Sequence, residues 1–227
     1  IGPLFNLTAD SLSLSIVAGD NSQVNRSGGN YANLAIRAYD QDWGRYAPNA
    51  NGSIWVTTDG VNLDAGNQTA TNSSGHLETA FNPSCNYAPG VQKWLAGITD
   101  GCYATANTSN YTLEIYGSLQ NSITGPAGPE ILRGDNATIN STVVTDCSQP
   151  VNDAAVNISV SHYFTPQSYS CTPVSNFSSG NYSCILNTSS LPAGAYNISV
   201  NSSKSYFNPA SALAEFSLGA TGLWVET

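Results

Sequence analysis

The sequence predicts an all-β chain folded as two β-sandwiches, and three observations predict it. Apolar residues recur at every second position in short runs bounded by turn residues. Helical periodicity is scarce, and the stretch from Gln92 to Gly97 is too short for a real helix. A turn, Gly19-Asp20-Asn21, recurs 115 residues later as Gly134-Asp135-Asn136, each copy after a short apolar run and before a strand-like one. Many short strands at this spacing are the signature of an immunoglobulin-like sandwich.

The predicted strands follow in order. Leu12 to Val17 alternates with serine, so Leu12, Leu14 and Ile16 share one face. Asn33 to Tyr39, Ile54 to Thr58 and Tyr111 to Leu119 complete a first sandwich over residues 21–124, with residues 1–20 as a tail. The breaker Gly125-Pro126-Ala127-Gly128-Pro129 reads as a linker and opens the second sandwich, residues 125–227. Ala137 to Thr145, Ala154 to Tyr163, Tyr182 to Asn187, Ala195 to Asn201 and Ala212 to Leu218 are its strands. In the run from Leu191 to Val200, Tyr196, Ile198 and Val200 face one way and Asn197 and Ser199 the other.

Fifteen asparagines in 227 residues each begin an Asn-x-Ser/Thr sequon: Asn6, Asn25, Asn51, Asn67, Asn72, Asn107, Asn110, Asn136, Asn140, Asn157, Asn176, Asn181, Asn187, Asn197 and Asn201. With 25 Asn and 49 Ser plus Thr, chance gives about 5. Such triplets become N-glycans only on a chain that crosses a secretory membrane. Strand alternation makes some by accident, since the sequon spacing equals the pleat period. Asn157 and Asn197 fit that account, whereas Asn6, Asn51, Asn67, Asn72, Asn176 and Asn181 sit near turns. Covalent N-glycans are therefore expected on an extracellular protein.

Only 9% of residues are charged, so sugar would take over the solubilising role of charge. Net charge is −9 with six Lys plus Arg, which leaves no basic stripe for a nucleic-acid partner or an anionic membrane. No run of 18 apolar residues exists, so no membrane insertion of the chain is expected. There is no Met, and the start Ile1-Gly2-Pro3 reads as a processed product.

Five cysteines suit an oxidising compartment. Cys171 and Cys184 flank a turn, and Cys85 and Cys102 could close a second local loop, each closure stabilising by about 3 kcal/mol; Cys147 would be left over. No cofactor, metal site or catalytic residue is expected. His162 continues the inward phase of Ile158 and Val160, Asp40 and Asp42 read as solvated loop carboxylates, and Arg133-Gly134-Asp135 is more simply an interstrand turn than an adhesive tripeptide. Lys93 and Lys204, the only lysines, read as snorkelling side chains rather than partners in an isopeptide bond.

Ser11 to Ile16 admits two readings, the first strand of its own sandwich or a donor strand that completes a neighbour's sandwich. Full burial of Leu12, Leu14 and Ile16 would contribute roughly 5–9 kcal/mol. The C-terminal run Leu223 to Thr227 is a rival donor.

The start Ile1-Gly2-Pro3-Leu4-Phe5, the alternating tail and the sequon-dense sandwiches together resemble the subunit of the glycosylated thread filaments of thermoacidophilic archaea. The resemblance implies identical subunits polymerising head to tail, Leu12, Leu14 and Ile16 of each completing the fold of the next, as in bacterial chaperone–usher pili, in a filament for adhesion or biofilm formation. Two other classes stay open: a monomeric surface-layer or adhesin module with closed sandwiches, and a secreted carbohydrate-active protein that would use Trp43, Trp55, Trp94 or Trp224.

Overall fold

The computed structural model describes residues 9–126 and 130–220, and every regular element among them is a strand. The chain divides into two compact units, Ile1–Tyr116 and Gly117–Thr227. The first contains β1 (Leu12–Ala18), β2 (Ser22–Asn25), β3 (Ala32–Asp40), β4 (Arg45–Tyr46), β5 (Asn51–Val56), β6 (Asn67–Ala70), β7 (His76–Phe81), β8 (Gly90–Ile98), β9 (Ala106–Asn107) and the first half of β10 (Tyr111–Ile123). One sheet sets β1, β7 and the short β4 antiparallel to β3. The other runs β6-β5-β8-β10-β2, with β2 parallel to β10. Between them lies a core of Leu34, Ile36, Leu77, Ile54, Trp94, Ile98, Leu113 and Ile115, none more than 1% exposed.

Gly19 carries the chain from β1 in one sheet to β2 in the other. Its φ of +102° suits glycine, and a Cβ there would meet the Leu34 side chain at 2.7 Å. The Trp94 indole closes the corner by donating from Nε1 to Gly19 O at 3.1 Å.

The second unit takes the rest of β10, then β11 (Glu130–Leu132), β12 (Asn136–Thr145), β13 (Ala155–His162), β14 (Ser168–Ser170), β15 (Ser175–Asn176), β16 (Asn181–Asn187), β17 (Gly194–Lys204) and β18 (Phe207–Gly219). One sheet is β10-β12-β16-β15, all antiparallel. The other is β14-β13-β17-β18, with β11 parallel to β18. Both units are immunoglobulin-like: a leading strand pairs antiparallel in one sheet and a following strand runs parallel to the last strand in the other. The second unit also has a tyrosine corner, Tyr196 donating its hydroxyl to Pro192 O at 2.7 Å, four residues upstream.

Two expectations change, and a segment that the sequence left unassigned becomes a strand. The Gly125-Pro126 breaker lies inside the second unit, where Thr124 N–H donates to Asn140 O on β12, because the contact boundary falls earlier, between Tyr116 and Gly117. The two Gly-Asp-Asn copies turn different corners, β1 to β2 in one unit and β11 to β12 in the other. Both serve as corners because glycine there holds φ near +103°. Gln92 to Gly97 belongs to a nine-residue strand, β8. Its inward set of Gln92, Trp94, Ala96 and Ile98 contains a polar residue that hides the alternation.

Candidate functional site

Fourteen of the 15 sequon asparagines fall among the described residues; Asn6 does not. Twelve are exposed and Asn25 and Asn197 are half-buried, so none is sealed in a core. Strand geometry explains this. On β12 the buried residues Ala137, Ile139 and Ser141 alternate with Asn136, Thr138, Asn140 and Thr142, so the sequon asparagines point away from the core. Register then brings them together: Asn136 is opposite Asn187, and Asn157 is opposite Asn201.

The sequons are distributed unevenly. Twelve lie within strands: Asn25, Asn51, Asn67 and Asn107 on β2, β5, β6 and β9, Asn136 and Asn140 on β12, Asn157 on β13, Asn176 on β15, Asn181 and Asn187 on β16, and Asn197 and Asn201 on β17. The sheet of β1, β3, β4 and β7 has none. The other two described sequon asparagines lie in loops. Asn72, in the turn leading into β7, is at the rim of that sheet, and Asn110 is exposed in the loop between β9 and β10, immediately before Tyr111. Their exposure means that Asn72 and Asn110 are open to modification without any strand having to move.

The sequon-free sheet places the alternating segment within its own chain, Leu12 opposite Asp40 and Ile16 opposite Ile36. Leu12 and Leu14 pack half-buried against the first core. Ile16 does not join them; it is 40% exposed, because the strand breaks register between Ile16 and Ala18 and its last side chains lift from the core. β1 is an edge strand, and from Ser11 to Ala18 it has no charge and no proline to block pairing.

Arg37, Tyr39 and Tyr46 share the outer face of this sheet, whereas Arg45, opposite the buried Asp40 in the β3–β4 hairpin, leaves from its other side. Asp40 is buried, and its Oδ1 accepts from Asp42 N–H and Trp43 N–H, which fixes the hairpin tip. Asp40 is therefore a turn cap rather than a solvated carboxylate, while Asp42 accepts from Ser11 N–H. Trp43 projects from this tip 66% exposed, with the Arg45 guanidinium 4.6 Å from its ring centroid. Arg37 stands 4.3 Å over Tyr46 and donates from Nε to His76 Nε2, and Tyr46 meets Tyr39 edge to face at 5.5 Å.

The remaining candidates do not converge. His162 is buried against Tyr196, and its Nδ1 accepts from Phe164 N–H. Arg133-Gly134-Asp135 forms the exposed β11–β12 corner, where the Thr188 hydroxyl bridges Gly134 N–H and Asp135 O. Lys204 pairs with the exposed Asp153, whose carboxyl it holds below the usual range. Trp55 is half-buried and Trp94 fully buried; Trp224 and the run Leu223 to Thr227 lie outside the described residues. Among the described residues no three His, Cys, Asp or Glu side chains gather as a metal site.

Cys171 and Cys184 form a disulfide. The pairing of Cys85 with Cys102 does not occur: Cys102 is free and exposed on the turn after Asp100, its N–H held by Asp100 Oδ1, whereas Cys85 and Cys147 are both disulfide-bonded.

No protein-family model and no curated protein sequence matches the chain. Solved structures that it resembles include a tetra-tandem repeat from the extending region of a large adhesion protein, at 19% identity and a TM-score of 0.46 over 92% of this chain and 49% of that one. Invasin, a bacterial integrin-binding protein, gives 15% and 0.45 over 92% of this chain and 39% of that one. Sidekick-1 immunoglobulin domains 1–5 give 14% and 0.44 over the same shares. The chain thus spans about half or less of these proteins, and the architecture above rests on its own strand register.

Proposed function

We propose that the chain is an N-glycosylated structural subunit of an extracellular, pilus-like filament serving adhesion or biofilm formation, of the kind typified by archaeal threads. Identical copies join when β1 of one replaces β1 of the next along β3. The observation that carries this reading is β1 itself: an uncharged edge strand, half-buried through Leu12 and Leu14 only, in the one sheet whose strands lack sequons. A strand held by two half-buried leucines is retained by roughly 2–3 kcal/mol of apolar burial, little enough to exchange when a neighbour offers the same strand.

A closed monomeric surface module is the second reading, favoured by the pairing of β1 with β3 of its own chain. Negative-stain microscopy of the secreted, glycosylated protein separates the two. Filaments that disappear when residues 1–18 are deleted, with the remainder still folded, support strand exchange. Single globular particles under all native conditions sink it.

A further inference from the structure

We infer that glycan transfer to the second unit precedes its folding: an oligosaccharyltransferase acts on the unpaired chain, and once the strands close, seven of that unit's eight sequons are beyond its reach. The inference rests on the reading that the chain is N-glycosylated. It adds an order of events and the sites that the order governs.

The reaction sets the geometric requirement. The asparagine Nδ2 attacks the anomeric carbon of a lipid-phosphate-linked oligosaccharide. The N–C bond forms as the C–O bond to phosphate breaks, the lipid phosphate leaves, and one Nδ2 proton passes to a base on the transferase. The enzyme must hold the asparagine amide together with the Ser or Thr hydroxyl two residues on, so all three sequon residues have to enter its cleft. In a sheet the neighbouring strands stand about 4.8 Å away on either side, which leaves no room for a cleft wall around a paired segment.

Two observations close the folded second unit to such a cleft. The first is burial. In every sequon of the unit except that of Asn176 the middle residue is buried: Ala137, Ser141, Ile158, Tyr182, Thr188, Ile198 and Ser202 are at most 3% exposed. The second is pairing. Asn197-Ile198-Ser199 runs opposite Ser161 to Ser159 on β13 and opposite Glu215 to Leu213 on β18, so both of its edges are taken. Asn140-Ser141-Thr142 runs opposite Ser183 to Asn181 on β16, and the Thr142 hydroxyl is hydrogen-bonded to that of Ser122 on β10. Lifting either tripeptide would break its ladders and draw a buried residue into water, which is unfolding of the unit rather than fraying of an edge. The asparagines themselves face away from the core, so a glycan attached beforehand stays in solvent when the strands close. The folded unit accommodates the product but excludes the reaction.

Two sequons supply the contrast. Asn72-Ser73-Ser74 in the first unit and Asn176-Phe177-Ser178 in the second are exposed at all three positions. Full-length protein made without glycosylation and folded is incubated, in dilute solution, with a purified oligosaccharyltransferase and its lipid-linked oligosaccharide. Occupancy is then mapped site by site by mass spectrometry. The same is done with the variant Val160→Asp plus Val200→Asp, which puts two carboxylates where both valines are fully buried and removes no sequon. Loss of the second unit's fold in that variant is verified by limited proteolysis. The seven sequons with buried centres are expected to fill about tenfold further in the variant than in the folded parent, whereas Asn72 and Asn176 fill equally in both.

Filling of the seven sites in the folded parent to the level reached at Asn176 overturns the order. Sugar at Asn72 and Asn176 in both proteins, with the seven empty in both, overturns it as well, because unfolding then does not open them. If neither protein takes sugar at any sequon while a control peptide does, the N-glycosylation reading fails and the inference falls with it.

Discussion

The Tyr196 hydroxyl and the Ser141 hydroxyl mark opposite fates for a polar group in a sandwich core. Tyr196 is buried, yet its hydroxyl reaches Pro192 O at 2.7 Å, pinning the turn that feeds β17. Tyr196→Phe keeps the ring and its stack on Phe216 and should cost about 1 kcal/mol by denaturant titration, the usual net worth of one hydrogen bond. Ser141 Oγ on β12 is buried without a partner. Ser141→Ala removes an unsatisfied group, so it should leave stability unchanged or raise it by about 1 kcal/mol. The Asn140 sequon survives that change, because position 141 is its middle residue. Sequence alternation was enough to turn Tyr196, Ile198 and Val200 inward, where all three are buried. The hydrogen-bond accounts of these hydroxyls were not legible, because they depend on backbone atoms across a turn rather than on residue type.

Among the elements, β1 and β8 show what period 2 can and cannot reveal. β1 alternates cleanly in sequence, but the bulge near Val17 takes Ile16 out of the core, so only Leu12 and Leu14 pack there. The sequence-level sum of three buried side chains was accordingly too large. Leu12→Ala with Leu14→Ala should lower stability of the first unit by roughly 2 kcal/mol, consistent with partial burial, and should abolish assembly by strand exchange. A loss of about 5 kcal/mol or more by calorimetry would mean a fully seated strand and count against exchange. β8 went unread because Gln92 holds an inward position. Its carboxamide oxygen accepts from the Thr57 hydroxyl and Gly60 N–H, and its nitrogen donates to Ala88 O, so an amide with both its oxygen and its nitrogen hydrogen-bonded stands where an apolar residue is expected. The disulfides divide in the same way. A bond between Cys171 and Cys184 was readable from a local turn, whereas the bonding of Cys147 and the freedom of Cys102 depend on tertiary placement.

The properties of the whole molecule follow from a surface almost without charge. Asp59 and Asp100 have carboxyls held below their ordinary 3.8, Asp59 chiefly by the N–H of Asn62 and Asp100 by that of Cys102; Asp153 is lowered by Lys204. Depressed carboxylates stabilise the fold above their unfolded pKa and lose that contribution as pH falls through the lower folded value. Thermal stability should therefore be flat from neutral pH down to about pH 5 and fall only below about pH 4. A steep loss between about pH 7 and 5 would point to groups other than these. Sugar then has to supply solubility, and the register shows where. Ile185 is 61% exposed on β16 opposite Thr138, framed by Asn136, Asn140 and Asn187. Leu213 is 78% exposed on β18 opposite Ser199, beside Asn197 and Asn201. Glycans on those asparagines would roof over two apolar side chains that the backbone cannot bury. A chain made without N-glycosylation should keep its unfolding temperature within a few degrees but precipitate at several-fold lower concentration, since the coat shields outer faces and leaves both cores untouched. Ile185→Thr with Leu213→Thr should recover much of that solubility in the bare chain. Equal solubility with and without glycans would remove the coat as the reason for the sequon density.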